Sequence, residues 1–201
     1  MRVVLFVCTM LLALPCAAAE PAGVRELLSK PAVLRGEFEQ SRHLHGFHNP
    51  LVSQGDFLLV RDRGVVWMTR KPFASTTLVT KDRLQTRQPD GSVQMAFDNK
   101  HSPAASLVNS LLLALISGDI DALSKYFKLT ESSLPGGAWK LQLTPKKSGL
   151  ARVFARIELN GDRFVRSVHL EEKSGDSTDL KFQALRDTPA QLDATEAKQF
   201  E

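Results

Sequence analysis

Between residues 34 and 97 the chain alternates short apolar and polar runs with tight turn signals, and no gap is long enough for a crossover helix. Parallel strands need a connection of a dozen or more residues, whereas antiparallel neighbours need only a hairpin, so this stretch predicts an antiparallel meander. Leu34, Gly36, Phe38 and Gln40 alternate with Arg35, Glu37, Glu39 and Ser41, the two-residue period of a half-buried strand. Residues 43–50 carry glycine, asparagine and proline and read as a loop. Strands follow at 55–61, 65–69 and 73–80, separated by Asp62-Arg63-Gly64 and Lys71-Pro72. Two more, at 83–88 and 93–97, flank Pro89-Asp90-Gly91, a hairpin signal.

The pattern changes at Ser102-Pro103. Residues 104–116 are leucine-rich and apolar almost all round, which predicts a helix stopped by Ser117-Gly118. Asp119 is placed to cap a second short helix carrying Ile120, Leu123, Tyr126 and Phe127. Strands resume at 139–144, 152–159, 164–171 and 177–185, and from Asp187 the tail is polar and weakly patterned. A short helix with Val24, Leu27 and Leu28 on one face opens the domain after Pro21. The expected fold is mainly β: a curved antiparallel sheet of about ten strands, curling as sheets of that size do. The helix at 104–116 is either ordinary core or a lid over an apolar cavity; both use the same surfaces, and periodicity does not separate them.

Arg2, the apolar run 3–14 and Ala17-Ala18-Ala19 have the order of a cleavable export signal. Cleavage after Ala19 leaves residues 20–201 as a single periplasmic domain. Cys8 and Cys16 both fall within the signal, so the mature chain has no thiol for a disulfide or a metal. Pro15 ahead of Cys16 opposes lipid attachment there. The chain carries 26 Lys and Arg against 22 Asp and Glu, dispersed rather than clustered, which opposes a nucleic-acid partner. No nucleophile elbow, zinc-protease pair or phosphate loop is present, so neither an enzyme nor a cofactor is implied. His43, His45 and His48 could hold zinc with Glu37 or Asp56, but a loop of surface histidines is the commoner case.

Four stretches, in order, resemble the periplasmic carrier family of the outer-membrane lipoprotein sorting pathway, the LolA-like carriers. Gly36-Glu37-Phe38-Glu39-Gln40 looks like the family's first strand, and 54–61 like its next, ending in an arginine. Trp67-Met68-Thr69-Arg70-Lys71-Pro72 looks like the third. The segment 111–127, followed by Trp139 through Leu143-Thr144-Pro145-Lys146, looks like the lid region and the strand after it. The resemblance, over 33–186, implies an unclosed β-barrel with a helical lid and N-terminal helix. Its cavity would receive acyl chains of lipoproteins, taken from an inner-membrane transporter and passed to an outer-membrane acceptor. It implies that Arg61 latches the lid by bonding to helix carbonyls. Phe38, Phe57, Leu59, Trp67, Leu78 and Met95 are then the candidate cavity wall, and Leu111, Leu112, Leu115 and Ile116 the candidate lid face. The chain departs from the family at its C-terminal end, where a polar tail replaces an aromatic-rich, Pro-Gly-containing strand. A related lipid is therefore an alternative cargo to lipoproteins, and a monomer is expected. The competing readings are a protein-binding domain with a filled barrel and the lipid-anchored acceptor of the same pathway, which Pro15 opposes.

Overall fold

The computed structural model describes residues 23–98 and 103–200. The expected export signal with its cysteines, Cys8 and Cys16, lies outside the described residues. Among the described residues, eleven strands form one antiparallel sheet: β1 (Val33–His43), β2 (Leu51–Val60), β3 (Gly64–Lys71), β4 (Ser75–Val79), β5 (Arg83–Arg87), β6 (Val93–Asp98), β7 (Phe127–Ser133), β8 (Trp139–Pro145), β9 (Phe154–Gly161), β10 (Val165–Glu172) and β11 (Ser177–Arg186). The spatial order is β6-β5-β4-β3-β2-β1-β11-β10-β9-β8-β7, so β1 and β11 form the seam between two meanders and the sheet does not close. Helices α1 (Val24–Leu27), α2 (Pro103–Ser117), α3 (Ile120–Ser124), α4 (Ser148–Val153) and α5 (Ala194–Lys198) complete the fold.

The curvature is written into the first two strands. Gly36 pairs with Phe57, and Phe38 pairs with Gly55. A Cβ on Gly36 would meet the Phe57 ring at 2.7 Å, and one on Gly55 would meet the Phe38 ring at 2.9 Å. Each aromatic ring therefore lies across the strand over a residue without a side chain. This lets Phe38 reach Trp67, with ring centroids 4.0 Å apart. Trp139 repeats the device opposite Gly161, on which a Cβ would meet the indole at 2.5 Å.

Alternation then sorts two apolar layers. Leu34, Phe38, Phe57, Val65, Val79 and Phe182 face the concave side, in one cluster with Trp139, Leu141, Ile157 and Leu159 of the second meander. Val33, Leu58, Val60, Val66 and Leu78 form a separate cluster on the convex side of β1–β4. These strands are apolar on both faces, which is why their sequence reads as nearly continuous runs such as Phe57-Leu58-Leu59-Val60.

The C-terminal tail covers the convex cluster. Leu192 and Phe200 pack against it, and the Arg63 guanidinium sits 4.9 Å from the Phe200 ring centre. Arg35 pins the tail with a fork to both carboxylate oxygens of Glu196 and with donations to the carbonyls of Pro189 (2.7 Å) and Gln191 (2.9 Å). Asp193 and Glu196 form a reciprocal capping box at the start of α5.

Candidate functional site: the lidded concave face

Helix α2 lies over the concave face and touches β5, β10 and α3. Leu111, Ala114 and Leu115 are buried in the concave cluster, with Leu107, Leu113 and Ile116 packed at its margin. Leu112 is 36 % exposed and points away from the sheet. The candidate lid face is thus brought together at Leu111, Leu115 and Ile116, and Leu112 is the position that does not join it. One helical turn separates 111 from 115, whereas 112 and 116 are each rotated by about 100° from them, so Ile116 reaches only the margin of the cluster and Leu112 stays exposed.

Four of the six candidate wall positions, Phe38, Phe57, Leu59 and Trp67, meet on the concave side. Phe57 also approaches Phe182 edge-on, with centroids 5.2 Å apart. Leu78 does not join them. It pairs with Val66 on the convex face, and its neighbour Val79, paired with Val65, points inward. A one-residue error in parity moves a side chain to the opposite face. Met95 lies on the edge strand β6 and is exposed.

Arg61 does not latch the lid in this structure. It sits beyond the end of β2, exposed in the β2–β3 turn, with its amide donating to the Ala32 carbonyl at 2.9 Å. Among the described residues no lid carbonyl accepts from its guanidinium. The C-terminal carbonyls of α2 are served locally: Ser117 Oγ donates to Leu113 at 2.7 Å, and the Asp119 amide to Ala114 at 2.9 Å. Gly118 makes the turn into α3 at φ +67°, packed against Leu28 and Val165. Asp119 caps α3 as its position predicts, accepting from the Ala122 amide.

Asn109 makes a polar tie between lid and barrel. It is 2 % exposed, and its side-chain amide donates to the Thr80 carbonyl at 3.2 Å. Thr80 is itself held in the β4–β5 turn by reciprocal bonds with Arg83. An amide side chain in a helix otherwise made of apolar residues and serines is the available signal, since a buried amide must find a partner. Replacing Asn109 by alanine leaves the Thr80 carbonyl unpaired and is expected to cost about 1–2 kcal/mol of lid closure. Amide hydrogen exchange across α2 will speed by about tenfold if so.

The three histidines do not converge. His43 lies within 3.5 Å of Ser41 Oγ, and His45 is held through its backbone amide by Asp176. No group of three metal-binding side chains occurs among the described residues. A recess of about 170 Å³ lies by β1, β2, β3 and β11, but Glu37, Glu39, Gln54, Arg70 and Gln183 give it a polar rim, unlike the concave face.

An apolar concave sheet, open along one side and roofed by an apolar helix, defines a lidded, unclosed β-barrel. The chain belongs to the outer membrane lipoprotein carrier protein LolA-like family, whose model matches residues 13–200. A LolA superfamily protein from Nitrosomonas europaea is 13% identical, with 88% of this chain and 93% of that chain covered and a TM-score of 0.46. A DUF1329 family protein from Desulfovibrio piger is 15% identical, with 89% and 93% covered and a TM-score of 0.49. The chain also matches the MucA/MucB complex of Pseudomonas aeruginosa at 16% identity and a TM-score of 0.43, covering 84% of this chain and 55% of that one. No curated protein matches. No described helix is long and apolar enough to cross a membrane.

Proposed function

We propose that this protein is a periplasmic carrier that takes up acyl chains of lipoproteins, or of a related lipid, between α2 and the concave face of β1–β5. The observation that carries this reading is the lid. Its inner positions Leu107, Leu111 and Leu115 offer an acyl chain only hydrocarbon, and Asn109 is its buried polar residue. Burial contributes about 0.8 kcal/mol per methylene, so an acyl chain offers ample gross driving force to displace lid side chains worth about 1.5–3 kcal/mol each. Cargo then shifts the lid by binding the open state better than the closed one. Carriage needs no bond-breaking step; transfer runs toward the site that buries the chain better. The inner-membrane transporter and outer-membrane acceptor of the family's pathway are the partners this reading implies, with the protein acting as a monomer.

Native mass spectrometry on protein purified from its own periplasm, followed by lipid extraction, tests the proposal. An acylated adduct is expected, lost in Leu115→Glu and kept in Leu112→Glu. A protein that stays empty, and whose Asn109→Ala variant also takes up no fluorescent acyl probe, would overturn it. The filled, protein-binding barrel would then lead, a reading favoured by the fully buried Trp139, Leu141, Leu143 and Leu159 of the second meander.

A further inference from the structure

Single exposed apolar side chains are ordinary, but several gathered on one rim beside unpaired cations mark an interaction surface. In an antiparallel meander the hairpins alternate between the two ends of the sheet. The β1–β2, β3–β4, β5–β6, β8–β9 and β10–β11 connections therefore share one rim. Phe73, 83 % exposed, tips the β3–β4 connection, and Phe47, 73 % exposed, tips β1–β2 with Leu51 at 61 % beside it. Val93 at the β5–β6 turn and Val153 at the end of α4 are also exposed. Phe47 and Phe73 stand on hairpins about two strand spacings apart, roughly 10 Å.

The rim is built. The Phe47 amide closes a turn on the Leu44 carbonyl at 3.0 Å. The His45 amide donates to Asp176 in the β10–β11 turn at 2.9 Å, and the Lys173 amide of that turn donates to the Val153 carbonyl at 2.8 Å. One hydrogen-bonded chain thus joins the Phe47 loop to the end of α4. The charge along it is positive. Lys71, Arg152 and Lys173 have no ion pair among the described residues, whereas Glu172 and Asp176 both face Arg42; Asp90, which accepts from Ser92, keeps its negative charge, and the named cations still outnumber the named acids.

We infer that this rim docks on an anionic phospholipid surface, with Phe47 and Phe73 entering the headgroup boundary and Lys71, Arg152 and Lys173 facing the lipid phosphates. Aromatic rings suit that boundary, and nearby cations add attraction that salt weakens. The inference goes beyond carriage and does not depend on what the concave face holds. Flotation of the purified protein with vesicles of phosphatidylcholine, alone or mixed with phosphatidylglycerol, tests it. The native protein is expected to float with the mixed vesicles and to be released by salt. Phe47→Ser/Phe73→Ser is expected to lose about tenfold or more in binding, and Lys71→Ala/Arg152→Ala/Lys173→Ala to flatten the salt dependence. Leu112→Ser, on the lid, is expected to bind as the native protein does. All these side chains are exposed, so thermal unfolding stays at the native value. Acyl-probe uptake, measured on the same variants, separates a failure of docking from a failure of carriage. Native protein that floats with neither vesicle, or a double phenylalanine variant that floats as well as native, would overturn lipid docking. Binding only to membranes that retain their proteins would overturn it in favour of a protein partner.

Discussion

Trp139→Ala is expected to be the most damaging single change in the protein, lowering stability by about 3–5 kcal/mol. The indole is fully buried and fills the space that Gly161 leaves open opposite it. Its Nε1 donates to the Asp162 carbonyl, so alanine creates a cavity and strands an acceptor together. Asp162 also accepts from the Phe164 amide at 3.0 Å and from the Arg166 guanidinium, so the β9–β10 turn loosens with it. Thermal unfolding will show a drop of at least about 6 °C. Trp139→Phe, which keeps most of the ring but not the donor, should recover more than half of the loss. Equal losses in the two variants would mean that the hydrogen bond, rather than the filled volume, carries the stability.

Arg35→Leu is expected to release the C-terminal tail, costing about 1.5–3 kcal/mol because charged hydrogen bonds to Glu196 are lost. The same contact can be broken by acid. The Arg35 fork holds the Glu196 carboxyl below the usual range; burial opposes this, and the Asp193 amide reinforces it. A carboxyl depressed in the folded state contributes stability that is present above its unfolded value and is lost as pH falls through the folded one. The tail therefore stays docked at neutral pH and loosens below about pH 4.5. Hydrogen exchange of residues 189–200 checks both outcomes. Protection should vanish in Arg35→Leu at neutral pH and in the native protein in acid. Protection unchanged in the variant would mean that Leu192 and Phe200 hold the tail by apolar contact alone.

The antiparallel meander is readable because its turn residues and two-residue period agree, and the strands expected from them lie within a few residues of those in the structure. Faces were harder to read where a strand is apolar on both sides. In Thr77-Leu78-Val79 nothing local says which of the last two looks inward, and the register with Val65 and Val66 decides it. Arg61 has the parity of Phe57 and Leu59, but the strand stops at Val60, so the alternation no longer governs it. Strand β7 escaped because it is an edge: after Phe127 and Leu129 its outer half is exposed and polar. The tail looked featureless because it offers only Leu192 and Phe200 to the sheet. Its one signal was Asp193-Ala-Thr-Glu196, the spacing of a capping box. Gly161, readable as a turn residue, closes a strand instead, and its need for glycine is visible only once Trp139 is seen across from it.

The seam between β1 and β11 imposes an order on how this molecule can come into being. A chain emerging from its N-terminus presents the first meander early, and its hairpins are local enough to zip at once. Strand β1 must nevertheless wait, one edge bare, until residues 177–186 arrive, and the convex layer waits longer still for Leu192 and Phe200. During that interval the nascent chain presents an open row of amides and carbonyls next to an uncovered oily surface, the combination that recruits other chains. A chain truncated before the tail therefore yields an aggregation-prone product rather than a slightly weakened one.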